Sequence, residues 1–335
     1  MTILVTGGAG FIGANFISEW LYGTDETVVN LDKLSYAGSL KNLDRLGADS
    51  RHVFQLGDIG DREFVTQLLE TYCPRAIINF AAESHVDRSI DDPSPFITTN
   101  ILGTFQLLEA TRSYLEKQND TFVAGFRFIQ VSTDEVFGSL AENDAPFVEA
   151  SPYRPNSPYS ASKASADHLV RAHHRTYGFP AIITNCSNNF GPMQYPEKLI
   201  PVVINCALSE KAIPIYGDGR NVRDWLYVSD HCGALRDILD CGRPGSTYNI
   251  GGGIELSNME LARRVCDILD DLRPRSSTLS HSALIRSVAD RPGHDFRYAI
   301  DSSKLRDEIG WTSSFDFDDA LAATVRWYVT QHRAD

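Results

Sequence analysis

Short apolar runs alternate with longer amphipathic segments through the first half of the chain. The runs are rich in β-branched residues and lack strict alternation of apolar and polar positions, which is typical of strands covered on both faces. The pattern predicts six strands, at residues 3–6, 27–31, 52–56, 76–80, 126–131 and 181–186. The intervening segments predict helices over 12–22, 61–72, about 100–117 and about 158–177. Strands and helices that alternate in this way indicate an α/β fold with a doubly wound parallel sheet of the Rossmann type.

The pattern changes after about residue 187. Loops rich in Gly, Pro, Asn and Arg replace the regular alternation, and the helical segments become shorter. A length of 335 residues also favours about two domains. We therefore expect a dinucleotide-binding Rossmann domain over 1–187 and a smaller, mixed α/β substrate-binding domain over 188–335, with some segments crossing between the two.

A glycine-rich turn follows the first predicted strand, in the sequence TGGAGFIG over residues 6–13. Gly8, Gly10 and Gly13 fit the spacing GxGxxG, and Gly7, Gly10 and Gly13 fit GxxGxxG. In either register the small residues let the backbone approach a pyrophosphate, while the N-terminus of the next helix supplies N–H groups and a positive dipole end. A purely structural tight turn is the alternative. The position between a strand and an amphipathic helix favours dinucleotide binding.

Acidic residues at the ends of the second and third strands refine this prediction. Asp32 lies at the distance from the glycine turn where a carboxylate binds an adenosine ribose diol. Its charge would repel a 2′-phosphate, so NAD is favoured over NADP, although the neighbouring Lys33 weakens that inference. Asp58 is a candidate contact for the adenine, and it could equally cap the helix over 61–72.

A tyrosine and a lysine lie one helical turn apart in SPYSASK, residues 157–163. Pro158 suits the first turn of a helix, so Tyr159 and Lys163 lie on one face as an i, i+4 pair. A phenol has a pKa near 10, and an adjacent ammonium together with a positive nicotinamide ring would favour the phenolate. Such a phenolate is a base for a hydroxyl proton while hydride leaves the same carbon. An ordinary exposed helix pair is the alternative.

Two adjacent acids, Asp134 and Glu135, follow the fifth strand at Ser132-Thr133. Buried acids are costly unless they are paired or used in chemistry. Because neighbouring residues on a regular strand point to opposite faces, the strand must end by about Thr133 if both acids serve one pocket. The alternative is that the two acids cap a helix or lie in solvent.

Composition limits the partners and the compartment. The net charge is −13, which should repel nucleic acid and anionic membranes. No run approaches the ~20 apolar residues needed to span a bilayer. The chain opens directly on the predicted strand, so we expect no signal or transit peptide.

The six cysteines are scattered without CxxC spacing, which suits a reducing cytosol and argues against disulfides or zinc. The adjacent His173 and His174 lack ligand partners, so no metal is expected and they are interpreted as surface or interface residues.

Over essentially its whole length the chain resembles the extended short-chain dehydrogenase/reductases. Within them it is similar to the sugar-nucleotide 4,6-dehydratases, and most closely to the dTDP-glucose 4,6-dehydratase family. The acids distinguish the branches: this family carries Thr-Asp-Glu where Thr133, Asp134 and Glu135 stand, whereas related epimerases lack the acids and GDP-mannose dehydratases carry Ser-Glu. The resemblance rests on long ordered blocks, GGAGFIG, LDKLSYAGSLKNL, AAESHVDRSI, STDEVFG, SPYSASKASADHLVRA, TNCSNNFGPMQYPEKLIP, IPIYGDG, VRDWLYVSDH and DRPGHDFRYAID.

The resemblance implies an NAD-dependent hydro-lyase acting on dTDP-glucose. Tyr159 would be the base for oxidation at C4, Asp134 the acid and Glu135 the base for loss of water across C5–C6, and Thr133 would orient the C4 hydroxyl. Lys163 completes the catalytic set. The family also implies a cytoplasmic homodimer formed through the helices near 100–117 and 158–177. A 4-epimerase, another NAD-dependent oxidoreductase, a UDP-sugar dehydratase and a non-catalytic NAD-binding protein are the alternatives.

The same resemblance implies which residues bind the two ligands. For NAD they are Gly7, Gly10, Phe11, Ile12, Gly13, Asp32, Lys33, Asp58, Ile59, Ala81, Ala82, Ser84, Thr99, Tyr159, Lys163 and Asn189. For the nucleotide sugar they are Ser84, His85, Thr133, Asn188, Lys198, Leu199, Pro214, Ile215, Tyr216, Arg223, Asn258, Arg291 and His294.

Several of these positions have structural alternatives. His85 could be a buried structural imidazole, and Thr99 with Asn100 could cap a helix. The Asn188–Asn189 pair is also good turn chemistry. Arg223 and Arg291 are the candidates for a diphosphate because guanidinium groups are fork-shaped donors; each could instead pair with the adjacent Asp224 or Asp290. Tyr216 could stack on the base or be core, and the stretch GGGIELSN around Asn258 departs from the family pattern.

Overall fold

A seven-stranded, entirely parallel sheet forms the centre of the computed structural model, which describes residues 1–275 and 279–332. The strand order is β10-β6-β5-β4-β1-β2-β3. Its strands are β1 (Thr2–Thr6), β2 (Thr27–Asp32), β3 (His52–Leu56), β4 (Ala76–Asn79), β5 (Arg127–Thr133), β6 (Ala181–Cys186) and β10 (Thr247–Ile250).

Helices cover both faces of this sheet, as the chain order requires. The helices of the described residues are α1 (Phe11–Gly23), α2 (Arg62–Tyr72), α3 (Val86–Asp91), α4 (Ser94–Phe96), α5 (Thr104–Leu115), α6 (Asp120–Gly125), α7 (Pro158–Tyr177), α8 (Leu199–Leu208), α9 (Val228–Cys241), α10 (Asn258–Leu272), α11 (Ser303–Ile309) and α12 (Phe317–Gln331), of which α8, α10 and α12 pack in a separate apolar cluster. A π-helical stretch, Ile97–Gly103, joins α4 to α5. Short 3-10 helices lie at Leu40–Leu46, Asp134–Phe137 and His281–Leu284.

Two apolar layers hold these helices to the sheet. Ile3, Val5 and Ile129 point to one face, where they pack against α1 and α9. Leu4 and Ile77 point to the other face, where they pack against α2 and α5. The inner strands therefore bury both of their faces, which explains why their segments are continuous apolar runs rather than alternating ones; the edge strand β3 is only partly buried.

The six strands and four helices predicted from the sequence are confirmed, with ends that differ by up to two residues except at the start of one helix. The helix predicted over about 100–117 begins earlier, because Ser94–Leu115 runs continuously through the π-helical stretch. The seventh strand, β10, was not predicted. It comes from the C-terminal part of the chain and pairs in parallel with β6, so that part completes the central sheet.

The remaining strands form two small sheets. One contains β7 (Asn188–Phe190), β9 (Val222–Tyr227) and β11 (Glu255–Ser257), in the order β11-β9-β7. The other pairs β8 (Ile213–Tyr216) with β12 (Ile285–Val288). A third apolar cluster, which includes Ile204, Leu261 and Leu321, joins α8, α10 and α12 beside them.

The order of the large sheet decides where ligands can bind. From β1 the chain builds outward to β2 and β3 on one side and to β4, β5 and β6 on the other. A crevice opens outside the carboxyl ends of the strands where the winding reverses, and open α/β sheets bind their ligands there. In the part of the chain that the structure describes, no helix is both long enough and apolar enough to cross a membrane.

Candidate active site

A cavity of about 270 Å³ lies at the carboxyl ends of the strands of the large sheet. Every residue predicted to contact NAD lines it, and so do all five predicted catalytic residues. The structure thus brings together residues that are up to 182 positions apart in the sequence, from Gly7 to Asn189.

The glycine turn forms one end of the cavity and takes the GxxGxxG register. Gly7, Gly10 and Gly13 line the cavity, whereas Gly8 does not. Gly7 has a φ of +70°, and a Cβ there would lie 2.7 Å from the backbone nitrogen of Ala81. A Cβ on Gly13 would lie 2.5 Å from the Gly7 carbonyl oxygen. Because these positions carry no side chain, the turn packs closely against its neighbours and the N-terminus of α1 faces the cavity, where its N–H groups favour an anion.

Asp32 is bound to the backbone on both of its oxygens. Oδ2 accepts a hydrogen bond from Ala9 N at 2.8 Å, and Oδ1 accepts one from Leu34 N at 2.7 Å. Burial nevertheless raises the pKa of this carboxyl, against the hydrogen bonds from Leu34 and Ala9. The side chain closes the glycine turn and lines the cavity at the end of β2.

The side chain of Lys33 binds groups other than Asp32. Its Nζ donates to Thr99 Oγ1 at 2.7 Å and lies 3.5 Å from Asp58 and 3.7 Å from Glu83. Its charge still attracts the Asp32 carboxylate, but its hydrogen bond and ion pairs are with these other groups.

Tyr159 and Lys163 lie on the face of α7 that is turned toward β5. Both are buried, and Lys163 Nζ donates to the Val131 carbonyl oxygen at 2.8 Å. Burial raises the pKa of Tyr159 well above 10, repulsion from Glu135 adds to the rise, and a hydrogen bond with Thr133 opposes it. Burial lowers the pKa of Lys163, and attraction to Asp167 opposes that change. In the protein alone, Lys163 does not produce the low phenol pKa that the sequence argument expected.

The two acids share one cavity because the strand ends where the sequence argument required. β5 ends at Thr133, and Asp134 and Glu135 begin a 3-10 helix. The Thr133 hydroxyl stabilises this turn, accepting from Glu135 N at 3.3 Å and donating to Asp134 Oδ1 at 3.3 Å. Asp134 is 2% exposed, and its Oδ2 has no hydrogen-bond partner among the residues that the structure describes. The predicted turn is confirmed, and the alternative of solvated loop acids is wrong.

The two carboxyls differ in the charged groups that surround them. Burial raises the pKa of Asp134 well above 3.8, and Glu135 and Asp224 raise it further, while Arg223 opposes the rise. Burial also raises the pKa of Glu135, but the cations Arg291, Lys198 and Arg223 oppose that rise. The surrounding charges therefore favour ionisation of Glu135 more than ionisation of Asp134.

Two groups of predicted substrate residues lie in or near the cavity. Ser84, Thr133, Asn188 and Lys198 line the cavity, and Lys198 Nζ donates to the Ser84 carbonyl oxygen at 2.9 Å. His85 lies beside it: its Nδ1 accepts from Arg88 N, which makes it the N-cap of α3.

The second group surrounds Asp87, outside the cavity lining. Tyr216 Oη donates to Asp87 at 2.9 Å, and an Arg291 Nη donates to the same carboxylate at 3.3 Å. The ring of His294 packs edge-on against Tyr216 at 6.1 Å. The guanidinium of Arg291 contacts Asp87 rather than its neighbour Asp290.

Arg223 is buried between β9 and the segment that follows β12. It donates to the carbonyl oxygens of Val222, Asp295 and Phe296, and its guanidinium lies 4.3 Å from the centre of the Tyr298 ring. It forms no ion pair with Asp224 among the residues that the structure describes, so the predicted alternative of a local pair is wrong.

The other predicted substrate residues lie outside the cavity lining. Leu199 begins α8 and Asn258 begins α10. Ile215 is 1% exposed and belongs to the apolar cluster beside α8, while Pro214 and Tyr216 on the same strand are exposed.

Three structural alternatives for single residues are wrong. Asp61, not Asp58, caps α2. Thr99 and Asn100 lie inside the π-helical stretch rather than at a helix start, and Asn100 binds both backbone groups of Glu83. The Asn188–Asn189 pair forms strand β7 rather than a turn.

His173 is also placed differently from the sequence interpretation. It is 5% exposed, and its Nε2 lies 3.1 Å from Glu109 on α5. It therefore joins two helices instead of lying on the surface. Within residues 1–275 and 279–332, no group of three or more His, Cys, Asp or Glu side chains could hold a metal ion.

Two residues that line the cavity, Glu197 and Cys186, were not predicted from the sequence. Glu197 lines the cavity, accepts from Tyr36 Oη at 3.0 Å and lies 3.5 Å from His85 Nε2. Cys186 lines it at the end of β6, and burial raises the pKa of its thiol to about 12. Glu197 directly precedes Lys198, so a charge next to a predicted ligand was the available signal. Cys186 offered none.

The family model described as GDP-mannose 4,6 dehydratase matches residues 4–324. A curated dTDP-glucose 4,6-dehydratase from Xanthomonas campestris pv. campestris (strain B100) is 56% identical over 98% of this chain and 93% of its own length. One from Escherichia coli is 47% identical over 98% of this chain and 94% of its own length.

Among solved structures, the chain is similar to a dTDP-glucose 4,6-dehydratase and, at lower identity, to an epimerase. The dTDP-glucose 4,6-dehydratase from Streptomyces venezuelae, solved with NAD bound, is 44% identical and superposes with a TM-score of 0.90, covering 100% of this chain and 98% of its own. A UDP-glucose 4-epimerase from Thermotoga maritima, at 26% identity, reaches 0.85 over 99% of this chain and 100% of its own.

Proposed function

Because the chain belongs to the GDP-mannose 4,6-dehydratase family, and within it to the dTDP-glucose 4,6-dehydratases, we propose that it converts dTDP-glucose to dTDP-4-keto-6-deoxyglucose with NAD as its cofactor. The observation that carries the proposal is the shared cavity. Tyr159, Asp134 and Glu135 line the same space that the glycine turn opens.

The residues of the cavity fit NAD. The small residues at 7, 10 and 13 leave no room for a side chain between the turn and α1, as close binding of a pyrophosphate requires. The carboxylate of Asp32 lies where a ribose diol binds, at the end of β2. When bound, NAD accepts a hydride from C4 of the sugar and later returns it to C6, so the cofactor is not consumed.

Tyr159 acts in the first step, in which its oxygen takes the proton of the C4 hydroxyl as the hydride leaves C4. Because the pKa of Tyr159 is raised, its phenolate must be stabilised in the complex. We assign this role to Lys163, a buried cation one helical turn farther along α7. Thr133 holds the C4 hydroxyl through its own hydroxyl group.

Asp134 and Glu135 perform the elimination. With a ketone at C4, Glu135 takes the proton from C5, and Asp134 gives its proton to the C6 hydroxyl, which leaves as water. This assignment is supported by the three cations that act on Glu135, whereas Asp134 feels two carboxyls, Glu135 and Asp224, more strongly than it feels Arg223.

The nucleotide part of the substrate needs cations in an acidic protein. Lys198, Arg223 and Arg291 all act on Glu135, so they converge on one region next to the sugar site. We assign the diphosphate to this region and the base to the neighbourhood of Tyr216. We also assign residues 1–187 and 188–335 to the cofactor and the nucleotide sugar, with β10 crossing to the central sheet.

Incubation of the purified protein with dTDP-glucose, deuterated at C4, tests the proposal. A 4-keto-6-deoxy product that carries the label at C6, without net NADH, is the expected result. Release of NADH would indicate a plain dehydrogenase, and a C4 epimer would indicate an epimerase. Turnover of UDP-glucose but not of dTDP-glucose would show that the substrate is a UDP-sugar. Absence of turnover with any of them would contradict the proposal.

We propose further that the protein is a cytoplasmic homodimer formed through α5 and α7. The π-helical stretch that leads into α5 exposes Ile97 (45%) and Leu102 (54%). On α7, Ala161, His168 and Ala172 are exposed at spacings of seven and eleven residues, which places them on one face. The two helices pack against each other, so their exposed faces form a continuous surface. The six free cysteines suit a reducing compartment.

A further inference from the structure

One buried carboxylate behind the site takes no part in the reaction described above. Asp167 lies on α7, one turn beyond Lys163, and is 1% exposed. Its Oδ2 accepts hydrogen bonds from Ser132 Oγ at 2.6 Å and from Tyr153 Oη at 3.2 Å. A buried charge is costly unless it is paired or hydrogen-bonded, so the position of Asp167 requires an explanation.

Asp167 contacts both segments that carry the catalytic groups. Ser132 directly precedes Thr133 at the end of β5, and Lys163 lies on the same face of α7 as Asp167. Asn185 completes the connection, because its Nδ2 donates to the Thr133 carbonyl oxygen at 3.1 Å while its Oδ1 accepts from Tyr153 at 3.5 Å. The carboxylate therefore joins the helix that presents Tyr159 to the strand end that presents Thr133.

Lys163 has no direct ion pair. Its Nζ is bound to the Val131 carbonyl oxygen, and among the described residues no carboxylate oxygen lies within 4.0 Å of it. Of the charges around it, Asp167 acts most strongly on the ammonium, in the direction that keeps it protonated. The ammonium is buried, so this attraction is screened little by solvent.

We propose that Asp167 is a positioning residue for the reaction: its carboxylate keeps the Lys163 ammonium charged beside Tyr159 and fixes α7 against the end of β5. This inference rests on the proposed function, because it concerns the tyrosine and lysine that perform the C4 oxidation. It assigns a role to a residue that touches neither the sugar nor the cofactor.

The groups that face Asp167 determine the sign of its effect. They are Lys163 on α7, Tyr153 in the segment before α7, and the neutral Ser132 and Asn185 on β5 and β6; Arg171, one turn farther on α7, acts on Tyr153. Burial raises the pKa of Asp167 to about 6, against the attraction of Lys163. Above that pH the carboxylate is ionised, and an anion near a cation raises the pKa of the cation. Its removal must therefore lower the pKa of Lys163.

The test is the variant Asp167→Asn, read by two measurements. The first is the pH dependence of the C4 oxidation rate in a single turnover, whose descending limb should move to lower pH by about one unit or more. The second needs no turnover. The chain has seven lysines, and in protein labelled with 13C-lysine the Lys163 signal, identified by its loss in Lys163→Arg, should titrate at a correspondingly lower pH.

Ser132→Ala is the matched control, because it removes a hydrogen bond to the same carboxylate but keeps the charge. It should leave the titration of Lys163 within a few tenths of a pH unit, and Asp167→Glu should restore the descending limb. An equal shift in Ser132→Ala, or no shift in Asp167→Asn, would overturn the proposal.

The unmodified protein provides a test that does not depend on a variant folding. The Lys163 signal should show a second inflection near pH 6, where Asp167 ionises; a single inflection would contradict the coupling. If the wild-type protein fails to turn over dTDP-glucose while this inflection is present, the proposed function fails and the electrostatic coupling remains.

Discussion

At the scale of single residues, the two neighbouring acids are distinguished by charges that come from distant segments. Three cations act on Glu135, namely Arg223, Arg291 and Lys198. Arg223 also acts on Asp134, but a second buried carboxyl, Asp224, acts on it more strongly in the opposite direction. A carboxyl that remains protonated can only act as an acid, and one that is ionised can only act as a base. The roles therefore depend on residues from β9 and from the segment after β12.

Replacement of either acid should separate the elimination from the oxidation. Glu135→Gln and Asp134→Asn should each slow loss of water by about 10²- to 10⁴-fold, because each removes one proton transfer. Oxidation at C4 uses Tyr159 and should change less, so reduced nicotinamide should accumulate in the enzyme. Its absorbance in a stopped-flow experiment checks this. The exposed Glu142→Gln provides the control, and elimination at the parent rate in both variants would show that the roles are wrongly assigned.

The proposed catalytic residues could be identified as candidates from the sequence because each stands in a local pattern. The glycine spacing, the tyrosine and lysine one turn apart and the acids at a strand end are all properties of short segments. Asp167 and Glu197 could not be assigned in this way, because their roles depend on which segments the fold brings against them. The pKa of Tyr159 could not be predicted either, since its burial is decided by the packing of α7 on β5.

At the scale of elements, the contact between β1, the glycine turn and α1 determines whether the cofactor end of the cavity can form. Gly13→Ala should destabilise the protein by roughly 1–3 kcal/mol, because the new methyl group would lie 2.5 Å from the Gly7 carbonyl oxygen and would push α1 away from the turn. The amount of NAD that copurifies should fall with it. Chemical denaturation and nucleotide analysis after denaturation measure the two effects.

Gly125→Ala provides the matched control for that substitution. Gly125 ends α6, and a Cβ there meets no atom within 4 Å. Its stability and NAD content should stay close to those of the parent protein. If Gly13→Ala matched this control in both measurements, the close approach of turn and helix would not be needed for cofactor binding.

The elements differ in how far the sequence predicts them. The first six strands follow from apolar runs of four to six residues that alternate regularly with helical segments. Strand β10 spans only Thr247–Ile250, and it pairs with a strand more than 60 residues earlier. A run that short fits a loop or a strand equally well, and only the open edge of β6 decides between them.

At the scale of the whole molecule, the exposed face along α5 and α7 should determine the oligomeric state. Leu102→Glu places a charge on this face and should convert the proposed dimer to a monomer without loss of fold, because Leu102 is already 54% exposed in the single chain. Leu56→Glu, at the 64%-exposed end of the edge strand β3, is the control and should leave the dimer intact. Light scattering after size-exclusion chromatography measures the mass. Dimers from Leu102→Glu would place the interface elsewhere.

The acidity of the interior should also influence the stability of the whole molecule. Burial raises the pKa of Asp224 to about 7, and the ordinary value is 3.8. A carboxyl with a raised pKa in the folded state binds its proton more tightly there than in the unfolded chain. Its contribution is therefore present below about pH 4 and is lost as the pH rises toward 7. Histidines with lowered pKa, such as the buried His231 at about 3, act in the opposite direction, so a single stability curve would mix the two effects.

A comparison with Asp224→Asn isolates the carboxyl, because asparagine resembles the protonated acid and does not titrate. The variant should match the parent near pH 4 and should become more stable than the parent by roughly 2–4 kcal/mol at pH 8, since each unit of pKa shift corresponds to about 1.4 kcal/mol. The exposed Asp271→Asn on α10 should run parallel to the parent over the same range. Urea unfolding at each pH gives the difference, and a constant difference between parent and Asp224→Asn would show that Asp224 ionises equally well in the folded and unfolded chains.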